Sequence, residues 1–99
     1  MDTLGILKAA RAKIADPKNW GKGPRPQMNG WPGRGLRTCC AAEAIEEIGA
    51  RSNLAAYRAL KNAAGLEFND RIIDWNDAPE RTHAEVIAAF NLAIATLRL

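Results

Sequence analysis

Apolar residues return every three to four positions along most of this chain, the period of a helix with one buried face. In the first segment, about Thr3 to Ile14, Leu4, Leu7, Ala10 and Ile14 share a face, and Lys8, Arg11 and Lys13 lie elsewhere. Asp2 or Thr3 can cap its start, and Asp16-Pro17 ends it, because proline pushes the residue before it out of the α region. A second helix is predicted from about Thr38 to Ile48, with Cys40 or Ala41, Ala44, Ile45 and Ile48 inward and Gly49 as its C-cap. A third, capped by Ser52 or Asn53, runs to about Ala64 on Leu54, Tyr57, Leu60 and Ala64, and Gly65 stops it. Between 66 and 81 the pattern is less regular. It predicts one helical turn near Asp70–Trp75, or else a short extended segment, followed by a turn at Asn76-Asp77-Ala78-Pro79. The last helix opens on Thr82-His83-Ala84-Glu85, a capping box, and carries Val86, Phe90, Ala93, Ile94 and Leu97 as one stripe.

Residues 21–36 break the pattern: five glycines and three prolines in sixteen residues exclude a regular helix. Asn29-Gly30 suits the tip of a short hairpin there. The sequence therefore predicts an all-α fold, a compact bundle of about four helices with one long Gly/Pro-rich loop, as a single domain over 1–99. The apolar share leans on alanine, which favours closely packed helices over a sheet. Cys39 and Cys40 are adjacent, too close for a relaxed disulfide with each other. The absence of a disulfide framework points to a reducing, cytoplasmic setting. No apolar run reaches the ~18 residues of a membrane span.

Charge and chemistry change this picture only locally. From Pro17 to Ala42 there are five basic residues and no acid, within a formal charge of +3. Lys22, Arg25, Met28, Trp31, Arg34 and Arg37 make this loop a candidate binding surface for a protein with an acidic face. Nucleic acid is an alternative ligand for the basic loop 18–37, with Trp31 stacking on a base, although +3 is little charge for a dedicated binder. The same stretch also reads as a solubilising loop.

An enzymatic alternative uses Cys40 or Cys39 as nucleophile at a helix start, where the dipole favours the thiolate, with His83 and Asp77 as base and orienting group. The plainer reading packs Cys40 in the core and leaves His83 in solvent at a helix start. No cysteine–histidine spacing suits a metal, and no phosphate-binding or dinucleotide motif calls for a cofactor. A non-enzymatic binding protein is the leading expectation.

Asp16-Pro17-Lys18-Asn19-Trp20, the Gly/Pro-rich connection into Cys40-Ala41, and Trp75-Asn76-Asp77 leading to Arg81-Thr82 resemble a family of short bacterial and bacteriophage proteins known only as a domain of unknown function. The resemblance covers nearly the whole length, and its most specific element is W-N-D-x-x-x-R-T. Glu43 stands where the family pattern has glycine. The resemblance implies a phage or bacterial accessory protein and marks Trp20, Cys40, Trp75, Asn76, Asp77, Arg81 and Thr82 as shared positions. It implies no reaction and no ligand. Each shared residue also has a structural job open to it, such as a salt bridge from Arg81 to Asp77.

Overall fold

The protein was analysed as a computed structural model that describes residues 2–22, 41, 44, 45, 54–67 and 69–98. Its regular elements are helices: α1 (Thr3–Lys13), a 3-10 turn (Pro17–Asn19), α2 (Leu54–Ala63), α3 (Ile72–Asp77) and α4 (His83–Leu97). Ala41, Ala44 and Ile45 are also helical and fully buried, as expected for the inner face of the second predicted helix. The all-α expectation holds. Most of loop 21–36, the Ser52 and Asn53 caps and Gly49 lie outside the described residues.

Local chemistry sets the helix ends. The Asp2 side chain accepts from the Gly5 N–H at 2.8 Å, capping α1. Asp16 does the same for the 3-10 turn, accepting from the Lys18 N–H at 2.9 Å with Pro17 at the first position. That turn aims the chain at Trp20. Gly65 takes φ +76° after α2, and the Gly65 and Leu66 N–H groups bond back to the Asn62 and Lys61 carbonyls. This pair of bonds is a Schellman motif, and it satisfies carbonyls that the helix end would otherwise leave bare. The Thr82–Glu85 capping box that opens α4 is complete in both directions.

The segment after α2 departs from expectation. Helix α3 runs to Asp77, so Trp75, Asn76 and Asp77 are its last turn and the chain bends only at Ala78. In that last turn Asn76 is fully buried and bonded through its side chain to Trp20, Gly21 and Ala41.

Helix α4 is the central pillar, packed against both α1 and α2. Phe90 and Val86 meet Ile6, Leu7, Ile14, Ile45 and Leu60 in the core. Each of these side chains contributes about 1.5–3 kcal/mol on burial. Two polar ties fix α1 on α4: Arg11 Nε donates to the Asn91 side chain at 2.6 Å, and His83 Nε2 lies 2.7 Å from the Ile14 carbonyl.

Candidate functional site

The described residues among those singled out by sequence, Trp20, Lys22, Trp75, Asn76, Asp77, Arg81, Thr82 and His83, gather at one end of the bundle around Asn76. This side chain is wholly buried, and its hydrogen-bonding capacity is filled. Its Oδ1 accepts from Trp20 Nε1 at 2.6 Å and from the Ala41 N–H at 3.1 Å. Its Nδ2 donates to the Gly21 carbonyl and to Asp77 Oδ1, each at 3.0 Å. Two acceptor and two donor positions are all an amide side chain offers. One residue thus ties together three stretches distant in sequence: 20–21, 41 and 76–77.

The neighbours are spent in a similar way. Lys22 Nζ donates to the Ala78 carbonyl at 2.6 Å and the Pro79 carbonyl at 3.1 Å, where α3 ends, and sits 6.0 Å from the Trp20 ring centre. A cation is favourable at the end of a helix, where carbonyls lack partners. Arg81, expected to pair with Asp77, lies 4.7 Å over the Trp75 ring, donates from Nε to the Trp75 carbonyl at 2.9 Å, and forms an ion pair with Glu85 at 3.6 Å. The Thr82 N–H holds the exposed Glu85 carboxyl below its ordinary value of 4.5, with smaller help from the Thr82 hydroxyl and the Arg81 charge.

Of the candidate catalytic set, His83 is half-buried rather than solvated. Its ring is tilted at 58° to Trp20 with centres 5.8 Å apart. Its Nε2 faces a carbonyl, so that nitrogen carries the proton and donates. Asp77 accepts from Asn76. Cys39 and Cys40 lie outside the described residues, as do Arg25, Met28, Trp31, Arg34 and Arg37 of the basic loop. Among the described residues no group of His, Cys, Asp or Glu could hold a metal ion, and no helix is long and apolar enough to cross a membrane.

A different surface is open. Between α2 and α4 runs a groove of about 680 Å³, lined by Leu54, Ala59, Ala63, Leu92, Ala93 and Leu97 among others. Leu54, Leu92 and Leu97 are the large apolar side chains most exposed among the described residues, at 59%, 53% and 43%. The periodicity had placed Leu54 and Leu97 in buried stripes. One sequence signal points to this face: from Val86 to Leu97 the chain has no charged residue. A helix apolar all round expects cover on every side. Helix α4 lies against α1 and α2, and its Leu92 and Leu97 remain open. Along α4, Leu92 and Leu97 stand about 14–21 Å from His83 at ~1.5 Å per residue, so the groove is distinct from the Asn76 cluster.

Residues 1–96 match the family model described as Family of unknown function (DUF6197). The chain belongs to this family. No curated protein and no solved structure matches it. The W-N-D-x-x-x-R-T element that carries the resemblance to such a family acquires a physical reading here. Trp75 is the platform for Arg81, Asn76 is the buried clamp on Trp20, Asp77 accepts from that clamp, and Thr82 starts α4. In this DUF6197 chain the Asn76–Trp20 bond and the Arg81 contact with Trp75 each join one part of the bundle to another.

Proposed function

We propose that this DUF6197 protein is a non-enzymatic protein-binding module, a cytoplasmic accessory protein of bacterial or phage origin, and that it docks its partner in the groove between α2 and α4. One observation carries the reading: Leu54, Leu92 and Leu97 stand exposed around an apolar groove, on a helix that carries no charge over its last three turns. Large aliphatic side chains gathered at a surface depression mark interaction sites far more than scattered single ones do. Among the described residues the groove offers Arg58, Asn62 and Thr96 as polar side chains, which suits apolar packing and offers little for bond-making chemistry. The Asn76 end supports the same reading, because the polar atoms described there are turned to internal partners.

A photo-crosslinking amino acid at Leu92 tests this in the cells of origin, with the same group at the exposed Lys8 on α1 as control. A discrete protein adduct from position 92 and none from position 8 is the expected result. No adduct from either, or the same adducts from both, would remove the groove as the docking face.

A further inference from the structure

On the reading that the α2/α4 groove is the docking face, we infer that its occupant is an amphipathic helix of another protein, with leucine-like anchors on one face and carboxylates along its flanks. The shape argues for a helix. The groove walls are themselves helices, and Ala55, Ala59 and Ala63 recur at four-residue spacing along α2, all lining the groove. Such a row leaves a shallow channel into which the ridge of a third helix packs at an interaxial distance of about 8–10 Å. Helix α2 spans ten residues, or about 15 Å. That is room for anchors at i, i+3 or i+4, and i+7, which cover about 10 Å.

The charge argues for a partner other than a second copy. From Leu54 to Gly65 the sequence holds Arg58 and Lys61 and no acid; from Val86 to Leu97 it holds no charge, and Arg98 follows. Arg58 is exposed and is the charged residue lining the groove. The nearest acid on α4 is Glu85, about 18 Å along the helix from Leu97 at 1.5 Å per residue. Among the described residues the groove lining therefore carries a single charge, the Arg58 cation, beside an apolar floor. A second copy packed face to face would bring another Arg58 and, among the described lining residues, no carboxylate to meet it, whereas a glutamate-flanked helix supplies the opposite sign.

Fluorescence anisotropy with two labelled synthetic helices of about 14 residues tests this, both with leucines at i, i+3 and i+7, one flanked by glutamates and one by lysines. The wild-type chain should bind the glutamate helix at least about tenfold more tightly at low salt, and the preference should shrink severalfold near 0.5 M salt. Arg58→Glu should reverse the preference. Leu92→Gln should abolish binding of both helices, with the far-ultraviolet circular dichroism of each variant unchanged. Equal binding of both peptides would overturn the charge assignment, and no binding of either would overturn the helical occupant. A dimer in sedimentation that Leu92→Gln dissociates would identify a second copy instead and overturn the inference. The Leu92 crosslink separates these failures from failure of the docking face itself: an adduct at position 92 without a peptide preference leaves the face standing and removes only the helix chemistry proposed for it.

Discussion

Replacing Asn76 removes the clamp that joins the 20–21 segment, the helix around Ala41 and the end of α3. The side chain makes four hydrogen bonds and has no exposed surface. At a net ~1 kcal/mol for each bond, Asn76→Ala should cost about 4 kcal/mol, with a range of about 3–5. The partners are not equivalent. Trp20 Nε1 and the Asp77 carboxylate belong to half-buried residues that water can reach, whereas the Ala41 N–H is buried and keeps its full penalty. With native stabilities of about 5–15 kcal/mol, this is a large fraction of the total. In urea, an m-value near ~2 kcal/mol/M turns it into a midpoint shift of about 2 M, followed by tryptophan fluorescence.

Asn76→Asp sharpens the test, because it keeps the shape and changes the sign of one face. The new carboxylate oxygen replaces Nδ2 and confronts the Gly21 carbonyl and Asp77 Oδ1, both acceptors. The charged form is disfavoured in the folded state, so the folded pKa rises above the unfolded value of ~3.9. A raised folded pKa means that the folded chain holds its proton to higher pH. The penalty is therefore full at neutral pH and fades as pH falls toward the unfolded value. The stability gap between wild type and Asn76→Asp should be largest near pH 8 and clearly smaller near about pH 4. Both variants falling within ~1 kcal/mol of wild type, or a gap independent of pH, would refute the clamp.

Other perturbations have separate outcomes. Thr82→Ala should lose about 1 kcal/mol by removing the cap of α4, read from thermal or urea unfolding. Glu85 has its carboxyl held below 4.5 chiefly by the Thr82 N–H, so its contribution is present above that value and is lost as pH falls through the lowered one. The stability difference between wild type and Glu85→Gln should accordingly close in acid. Gly65→Ala meets no neighbouring atom but must hold φ +76°, and should cost about 1 kcal/mol from backbone conformation alone. Arg81→Lys keeps the charge but loses the Nε bond and the planar stack on Trp75, and should lose about 1 kcal/mol in the same assay.

Features encoded within a few residues of one another were legible in the sequence. The Thr82–Glu85 box and the Gly65 stop are short-range patterns, and spacing alone picks out the buried Leu7, Ala10 and Ile14 at α1 and Val86, Phe90, Ala93 and Ile94 of α4. Asn76 was not legible as a clamp. Three of its four bonds span 35 to 56 residues, and an isolated Asn-Asp pair looks like a turn. Its only sequence signal was its company with Trp20 among the shared family positions. The groove was missed for a different reason. Periodicity reports which residues share a face but not whether a neighbour covers it, so Leu54 and Leu97 read as core until α2 and α4 were placed. The missing clue was compositional, in the charge-free stretch from Val86 to Leu97.

Hydrogen–deuterium exchange of the full chain, with and without the glutamate-flanked leucine helix, separates docking in the α2/α4 groove from docking at the Asn76 end. Docking in the groove should add protection in 54–63 and 88–97 and leave residues 71–83 unchanged, because the Asn76 cluster is already tied by its own bonds. Protection appearing at 71–83 instead, or nowhere, would contradict it.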